Sequence, residues 1–469
     1  MKIALIRLPA TYSNWYKHPI LGISYISAYM ETKGYDCKIF DAYFNSWSED
    51  ELIHRIKDYN PDITGITAMT HEVSRAAETA TQIKKQLNTS VIIGGCHITA
   101  MKGKTLEEFP VFDYGVYGEG ENTVLELLSH LQKKSPDLTG IAGLVYRDGG
   151  YIRINKPRPN LTADDLDNLP YPAYYHYYGN NQKALAGKSS YYVMFTSRGC
   201  PYNCAFCMQV LGRKVRRRSI KSVISEINYA ISTYGAHTFD FADEIFLFGD
   251  EHSRNLLQAM IEDGLQKKIR WRALTRVNFV SPDLIALAKK AGCYHLEMGV
   301  ESGDDEILKT IGKGITVEQV KKSVSVIQEA GISLMTYYIL GHPKETMETL
   351  KRTVDLAVKL NTSTIAVGIM VPYPGTKIYD MALRGEEGYR LLSQNWSDYD
   401  KYGGHALEIK NLPYEELAKW QRRTLMYLFL KNFRFLDAIK YFWKRHNASW
   451  FFAKRNILKL ISVEHGRAK

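Results

Sequence analysis

Cysteine is scarce in this chain, with six residues among 469, and so low a content in a chain this long excludes a disulfide scaffold. Long apolar runs are missing as well: no stretch of about 18 uncharged apolar residues occurs, so we expect no membrane-spanning helix. The first eight residues have the pattern of a buried strand, and we expect no secretion signal there. The length of 469 residues predicts two or three domains. Free thiols in place of disulfides favour the reducing cytoplasm.

Acidic residues are few at one end of the chain. Residues 413–469 contain 13 Lys and Arg but only 4 Asp and Glu, whereas the remaining 412 residues are nearly neutral, although the whole chain has a formal net charge of +11. The basic character therefore belongs to a C-terminal tail and not to the body of the protein.

Three of the cysteines lie together, as Cys200, Cys204 and Cys207 in a C-x3-C-x2-C run. Three thiolates on one short loop can hold three irons of a four-iron cluster and leave the fourth iron open for a small ligand. A structural zinc ion is the alternative, but it takes four ligands, and no fourth Cys or His is suitably spaced nearby. The spacing therefore favours a [4Fe-4S] cluster, and we expect the other three cysteines to pack as small buried residues.

The cysteine loop resembles the signature of the radical S-adenosylmethionine (SAM) enzymes. The resemblance implies that the open iron chelates the amino and carboxylate groups of SAM. It also implies that one electron from the cluster breaks the sulfonium bond and releases a 5′-deoxyadenosyl radical. In such an enzyme the cofactor supplies the chemistry, and the protein positions it and excludes water.

The N-terminal third alternates strand and helix patterns. Strands are predicted at 2–8, 36–40, 63–67, 91–95 and 114–117, and helices at 22–32, 49–60, 73–87 and 121–133. This rhythm predicts a doubly wound, Rossmann-like parallel sheet. Ligands of such sheets bind at the carboxyl ends of the strands.

Four polar or glycine-rich segments lie at these strand ends, at 19–22, 67–70, 94–99 and 118–123. In this order, and ahead of the cysteine loop, they resemble the cobalamin-binding domain of the B12-dependent radical SAM proteins. The resemblance covers the N-terminal third and implies a cobalamin site. Its residues would be Leu21, Gly22, Thr67, Thr70, Gly94, Gly95, His97, Gly118, Glu119, Gly120 and Glu121.

The Asp-x-His-x-x-Gly motif, whose histidine ligates cobalt in classical cobalamin methyltransferases and mutases, is missing. We therefore expect no histidine ligand to cobalt from such a motif. For His97 a packing role is favoured over cobalt ligation, and contact with the corrin edge stays open.

The second half repeats the strand–helix rhythm. Strands are predicted at 191–196, 238–241, 270–275, 294–299, 333–340 and 364–370, with helices at 219–234, 250–266, 282–291, 304–310, 317–330 and 347–359. Six such units match the partial (βα)6 TIM-type barrel of the radical SAM enzymes, whose site lies at the carboxyl ends of the strands.

The resemblance implies that six residues bind SAM: Phe206, Asp243, Glu244, Arg276, Glu301 and Ser302. Phe206 would contact the adenine, and Arg276 would pair with the SAM carboxylate. The acidic residues and the serine would accept hydrogen bonds from the amino group or the ribose.

The predicted domains are a cobalamin-binding domain at 1–140, a hairpin and linker at 141–188, a radical SAM domain at 189–400 and a helical basic extension at 401–469. The prolines of 157–180 favour extended structure over helix. A long helix is predicted at 415–443, with one apolar and one basic face and further aromatic residues after it. Such a tail either caps the barrel, which is slightly favoured, or lies on an anionic membrane surface.

The leading hypothesis is a cobalamin-dependent radical SAM methyltransferase that acts on an unactivated carbon of a small-molecule or lipid-like substrate. An electron donor of the flavodoxin or ferredoxin type would supply the reducing electron. Relatives of the anaerobic magnesium-protoporphyrin cyclase suggest an alternative, a cyclisation or rearrangement without net methyl transfer. A third hypothesis is a tRNA-modifying enzyme, but tRNA methylthiotransferases carry three early cluster cysteines, whereas only Cys37 and Cys96 occur early here. Binding of nucleic acid is not expected.

Overall fold

The computed structural model describes residues 1–9, 17–133, 137–187, 190–401 and 403–440. Two α/β units follow each other along the chain, a seven-stranded sheet and then a six-stranded parallel barrel sheet. The predicted α/β fold, with an N-terminal doubly wound sheet and a partial barrel, is confirmed. No helix in the described part of the chain is long and apolar enough to cross a membrane.

The first sheet has the strand order β2-β1-β3-β4-β5-β6-β7, in which the first five strands pair in parallel. The order 2-1-3-4-5 is that of a doubly wound fold whose switch point, and hence ligand crevice, lies between β1 and β3. The strands are β1 (Lys2–Arg7), β2 (Asp36–Asp41), β3 (Ile63–Thr67), β4 (Ser90–Gly94), β5 (Tyr114–Val116), β6 (Leu144–Asp148) and β7 (Tyr151–Ile154).

Helices cover both faces of this sheet, which explains why its central strands are almost wholly apolar. Those of the first face are α1 (Leu21–Thr32) and α7 (Glu121–Leu131). Those of the second face are α3 (Glu49–Tyr59), α4 (Val73–Gln86), α5 (Cys96–Met101) and α6 (Gly103–Glu108), with the short α2 (Ala42–Asn45) after β2. Ser48 caps α3, because its side chain accepts a hydrogen bond from the backbone N–H of Glu51.

The segment between the two units differs in part from its prediction. The predicted hairpin forms, and its strands β6 and β7 extend the first sheet as an antiparallel edge. The segment 157–180 is not wholly extended, since it contains α8 (Ala163–Asp167) and α9 (Tyr175–Tyr178). Thr162 and Asp165 form a capping box for α8, and this local hydrogen bonding outweighs the preference of the flanking prolines for extended structure.

The second sheet runs β15-β14-β13-β12-β11-β8, with every neighbouring pair parallel. Its strands are β8 (Tyr192–Met194), β11 (Thr238–Phe241), β12 (Arg270–Thr275), β13 (Cys293–Glu301), β14 (Ser333–Leu340) and β15 (Thr364–Ile369); β9 (Ser197–Arg198) and β10 (Arg216–Arg217) form a small antiparallel pair. The helices are α10 (Ile220–Tyr234), α11 (Glu251–Glu262), α12 (Pro282–Lys290), α13 (Asp305–Thr310), α14 (Val317–Glu329) and α15 (Met347–Leu360).

The remaining elements are α16 (Lys377–Arg384), the strand pair β16 (Tyr389–Leu391) and β17 (Leu407–Ile409), and α17 (Tyr414–Lys431). Short 3-10 helices occur at Thr70–Glu72, Leu265–Lys267, Val277–Phe279, Glu386–Gly388 and Trp396–Asp398.

The long tail helix predicted at 415–443 is interrupted. Helix α17 ends at Lys431, Phe433 takes a left-handed backbone conformation with φ 56° that breaks the hydrogen-bond ladder, and residues 435–440 are helical again. The tail residues 441–443, and the basic and aromatic residues after them, lie outside the described part of the chain.

Candidate cofactor site

The cysteine loop leaves the barrel after β8 and is shaped by a glycine. Gly199 has φ 103°, and a Cβ at this position would lie 2.3 Å from the backbone oxygen of Lys214. The backbone N–H of Cys200 donates to Gly212 O at 3.1 Å, and that of Cys207 donates to Cys204 O at 3.1 Å. Only glycine allows this turn, so Gly199 fixes where the first cysteine begins the loop.

The three cluster cysteines lie near enough to interact electrically. Cys204 is buried, Cys200 is half-buried, and Cys207 is the most exposed residue of the three. Surrounding protein atoms, followed by the charges of Cys204 and Cys200, raise the pKa of the Cys207 thiol to about 11. Bound thiolates therefore need a strong positive partner here, which an iron cluster supplies.

No three His, Cys, Asp or Glu side chains in the described residues are grouped tightly enough to hold a single metal ion. A cubane cluster binds each cysteine at a different iron corner, so it does not require its thiols to converge on one point. The donor set, three thiols on one loop, therefore fits a [4Fe-4S] cluster with one open iron.

Arg276 extends from the end of β12 towards the cluster loop. Its guanidinium lies 3.5 Å from the centre of the Tyr202 ring, and Nη1 is 3.9 Å from Cys204 Sγ. Nε donates to Asn278 Oδ1 at 3.0 Å, whereas the buried Nη2 has no partner among the described residues. A buried guanidinium N–H without a partner is costly, and a carboxylate of a bound ligand would satisfy it.

Glu301 lies where β13 ends, in a left-handed conformation with φ 72° at a register shift of the sheet. Its Oε1 accepts a hydrogen bond from Lys313 Nζ at 2.7 Å, and both side chains are nearly buried. A Cβ at Gly299 would lie 2.3 Å from the same Glu301 oxygen. This strained and tightly packed pair is the kind of arrangement found at functional sites.

The side chains of two predicted SAM-binding residues, Asp243 and Ser302, form hydrogen bonds within the protein. The carboxylate of Asp243 accepts hydrogen bonds from the backbone N–H and hydroxyl of Thr196 and from the hydroxyl of Ser197, and it is fully buried. Ser302 is also fully buried, and its hydroxyl pairs with that of Thr353 at 3.2 Å. These hydrogen bonds anchor the strand ends, and we therefore do not include Asp243 and Ser302 in the SAM site proposed below.

Glu244, next to Asp243, keeps a position at the loop. It is half-buried, and its Oε2 accepts a hydrogen bond from the backbone N–H of Gly199 at 3.3 Å. Burial raises the pKa of this carboxyl. Glu244 therefore contacts the cysteine loop directly, whereas Asp243 contacts Thr196 and Ser197.

The turn after β14 contains residues that the sequence analysis did not single out. His342 is fully buried, its Nδ1 has no partner among the described residues, and its ring centre is 6.2 Å from that of Phe206. Burial lowers the pKa of His342 to about 4 and raises that of Glu345 to about 7. The turn thus places a neutral imidazole beside the aromatic residue of the cluster loop.

The carboxyl edge of the first sheet leaves open space at three glycines. A Cβ added to Gly22, Gly94 or Gly118 would meet no atom within 4 Å, although each lies next to a packed strand or helix. Gly95 differs, since its φ is 101° and a Cβ there would be 2.6 Å from Ala68 O. Open glycine positions at a ligand-binding edge fit a large flat cofactor that approaches the backbone.

The other predicted cobalamin residues vary in position. Thr67 ends β3, and the buried Thr70 begins the 3-10 helix after it. Leu21 is buried and packs into the core of the barrel. Gly120 faces Ile26, since a Cβ there would lie 3.0 Å from the Ile26 side chain.

His97 is packed under an aromatic residue from the other unit. It is fully buried, and its ring centre lies 4.9 Å from that of Trp396 in an edge-on arrangement. Neither ring nitrogen has a partner among the described residues, and burial lowers the pKa of His97 to about 4. These contacts support the packing role that the sequence favoured, and they are at odds with a cobalamin contact.

Glu119 and Glu121 point to the barrel. Arg198 donates from Nη1 to Glu119 at 3.0 Å and from Nη2 to Glu121 at 2.8 Å, and Arg216 donates to Glu119 at 2.7 Å. All four side chains are nearly buried. Both carboxylates bind the segment that leads into the cysteine loop, and we therefore do not include Glu119 and Glu121 in the cobalamin site proposed below.

Comparison with known proteins finds one domain match in each of the two units. Residues 194–357 match the radical SAM superfamily, and residues 15–128 match the B12 binding domain. An uncharacterised methyltransferase of Pyrococcus horikoshii is 32% identical over 449 residues, which are 95% of this chain and 94% of that protein. The anaerobic magnesium-protoporphyrin IX monomethyl ester cyclase of Rubrivivax gelatinosus is 29% identical over 78% of this chain and 66% of its own length.

A solved structure shares the fold over most of the chain. The radical SAM methyltransferase TsrM of Kitasatospora setae, solved with cobalamin and a [4Fe-4S] cluster bound, superposes with a TM-score of 0.72. The match covers 90% of each chain at 18% identity. At this identity the similarity shows the fold alone.

Proposed function

Because this chain belongs to the cobalamin-binding radical SAM family, we propose that it methylates an unactivated carbon of a small-molecule or lipid-like substrate. The chain is an enzyme, and its cofactors are a [4Fe-4S] cluster, SAM and cobalamin. When bound, these cofactors supply a substrate-activating radical and a transferable methyl group. The protein has to hold them close together and in the correct order.

We assign the cluster to Cys200, Cys204 and Cys207, with Gly199 fixing the loop. Arg276 Nη2, which has no partner among the described residues, would bind the SAM carboxylate. Glu244 and Glu301 would accept hydrogen bonds from its amino group or ribose. Phe206 and the neutral His342 would flank the adenine, since they are the apolar and aromatic groups beside the loop. These side chains orient SAM and exclude water from it.

We assign cobalamin to the open carboxyl edge of the first sheet. Gly22, Gly94 and Gly118 leave room for the corrin, and Thr67, Thr70 and Gly95 shape the strand ends around it. Leu21 and Gly120 support α1 and the loop after β5. None of these residues offers a histidine to cobalt.

The observation that carries the proposal is the buried contact between Arg198 and the pair Glu119 and Glu121. It joins the loop at the carboxyl end of β5, part of the cobalamin edge, to the residue two positions before Cys200. A substrate carbon that reacts with both cofactors must lie between them. This joint holds the two cofactor loops next to each other.

The test is anaerobic reconstitution with iron, sulfide and cobalamin, followed by incubation of candidate extracts with methyl-labelled SAM. Methyl transfer predicts labelled product together with S-adenosylhomocysteine and 5′-deoxyadenosine. Cys204→Ala should lose all three products, because the cluster would lack one ligand. Activity retained by Cys204→Ala would overturn the assignment.

The second candidate is a cyclase or rearrangement enzyme without net methyl transfer. It is favoured by the 29% identity to the magnesium-protoporphyrin cyclase. Formation of 5′-deoxyadenosine without S-adenosylhomocysteine would support it over methylation. In either case we propose a cytoplasmic enzyme that takes its electron from a donor of the flavodoxin or ferredoxin type.

A further inference from the structure

The end of the described chain exposes an unusual number of apolar side chains. Among the described residues, ten large hydrophobic side chains are exposed, and five of them fall within 430–439. We call these five the apolar strip: Leu430 (48% exposed), Phe433 (81%), Phe435 (53%), Leu436 (73%) and Ile439 (64%). Such a cluster on a protein surface marks an interaction site.

A polar tether holds the apolar strip in this orientation. After the helix breaks at Phe433, Arg434 donates to Thr362 O and to Ser363 O at 2.7 Å each, and its Nε donates to Asp437 at 2.8 Å. The charged residue therefore faces the barrel and the apolar residues face outward. The apolar strip cannot fold onto the described part of the barrel without breaking these bonds.

We propose that the apolar strip docks on an anionic lipid surface. Lys431 is exposed within the strip and Lys440 directly after it, and Arg422 and Arg423 are exposed on α17. Basic residues around exposed aromatic and aliphatic groups are the composition that binds anionic membranes. A second copy of the chain is a poorer occupant, because residues 413–469 carry 13 basic against 4 acidic residues and two such surfaces repel each other.

The position of the tether gives the docked enzyme an orientation. Thr362 and Ser363 precede β15, so the apolar strip lies at the amino end of the barrel strands. The cysteine loop and Arg276 lie at the opposite, carboxyl end. Docking therefore leaves the cofactor site facing away from the lipid. If the proposed function holds, this orientation favours a water-soluble substrate over one taken directly from the membrane.

The experiment is cosedimentation of the full chain with vesicles of phosphatidylcholine containing phosphatidylglycerol, compared with phosphatidylcholine alone. We expect binding only to the anionic vesicles, weakened by high salt. The triple variant Phe433→Ser, Leu436→Ser, Ile439→Ser should bind at least tenfold more weakly. A matched control, Tyr151→Ser with Leu383→Ser, changes equally exposed apolar residues elsewhere and should bind like the parent.

Two outcomes would overturn the docking. One is no binding of the parent to anionic vesicles at low salt, and the other is equal binding by the triple variant. A parent dimer that the triple variant converts to monomer would assign the strip to a second copy instead. Vesicle-bound, reconstituted enzyme should cleave SAM with dithionite as fast as free enzyme, and a loss of cleavage would refute the orientation. Vesicle binding is measured without substrate, so its result does not depend on whether the enzyme transfers a methyl group.

Discussion

Single residues at this site are constrained by backbone geometry more than by side-chain chemistry. Gly199 is the clearest case, because its φ of 103° and the nearby Lys214 oxygen leave no room for a side chain. The three cysteines could be predicted from their spacing alone. A turn at Gly199 could be expected from the sequence. The contact that forbids a side chain there could not, because only the fold brings the Lys214 oxygen next to Gly199.

Gly199→Ala should prevent assembly of the cluster. The added methyl group forces the loop away from Lys214, so the first cysteine moves out of position. Iron and sulfide content after anaerobic reconstitution measures the effect, and we expect less than a tenth of the parent's content. Gly140→Ala is the control, since a Cβ at Gly140 meets nothing within 4 Å. Full iron content in Gly199→Ala would show that the loop tolerates another conformation.

His97 predicts a pH dependence of stability. Its pKa in the folded protein is about 4, below the ordinary 6.5, so between these values the unfolded chain binds a proton that the folded protein does not. The free energy of unfolding is therefore not reduced by His97 above pH 6.5. Between pH 6.5 and pH 4 it falls by about 1.4 kcal/mol for each pH unit of acidification. His97→Phe should lose less stability than the parent between pH 7 and pH 5.

Thermal unfolding of the cluster-free protein at the two pH values measures this difference. His54→Gln is the control, because His54 lies on the surface with an exposed side chain. Parallel pH profiles for the parent and His97→Phe would contradict the burial of a neutral imidazole under Trp396.

At the scale of elements, the strands were predictable and the tail was not. Strands β3, β11 and β12 match their predicted bounds, and each carries buried apolar residues at successive or alternate positions. The tail helix had the correct apolar periodicity, yet it is interrupted at 432–434, where Phe433 is left-handed and Arg434 binds carbonyl groups near β15. Such a tertiary contact leaves no trace in the local pattern.

The end of β4 provides a test of the cobalamin edge. Gly94→Val adds a side chain into space that holds no protein atom within 4 Å of the new Cβ. We expect unchanged thermal stability but at least tenfold weaker cobalamin binding in equilibrium dialysis, because the added methyl groups occupy the space assigned to the corrin. The same substitution at Gly140 should leave cobalamin binding unchanged. Normal binding by Gly94→Val would remove this edge from the site.

At the scale of the whole molecule, the two units share side chains across their boundary. Leu21 and Tyr25 of α1 belong to the core of the barrel, and Val371 and Trp396 belong to the core of the first sheet. The ion pairs of Glu119 and Glu121 could not be predicted, because Arg198 is 79 and 77 residues away in sequence. A glycine-rich loop in the sequence predicts a ligand site. Ion pairs between the two units are visible only in the folded structure.

Arg198→Gln should weaken the joint between the units. Removing one partner of a buried ion pair leaves uncompensated charge and costs about 3–5 kcal/mol. The double variant Arg198→Gln, Glu121→Gln should recover part of this loss, because it also removes an unpaired charge. Urea unfolding gives the free energies, and Arg55→Gln, which breaks the exposed pair with Glu51, should cost less than about 1 kcal/mol. No recovery in the double variant would argue against this pairing.

Joint uptake of the two metal cofactors is the central claim for the whole molecule. Quantification of iron and cobalt in one anaerobically reconstituted and desalted sample tests it most directly. We expect about four irons and one cobalt for each chain, with the cobalt lost in Gly94→Val and the iron kept. Four irons without cobalt in the parent would show that the chain does not hold both cofactors together.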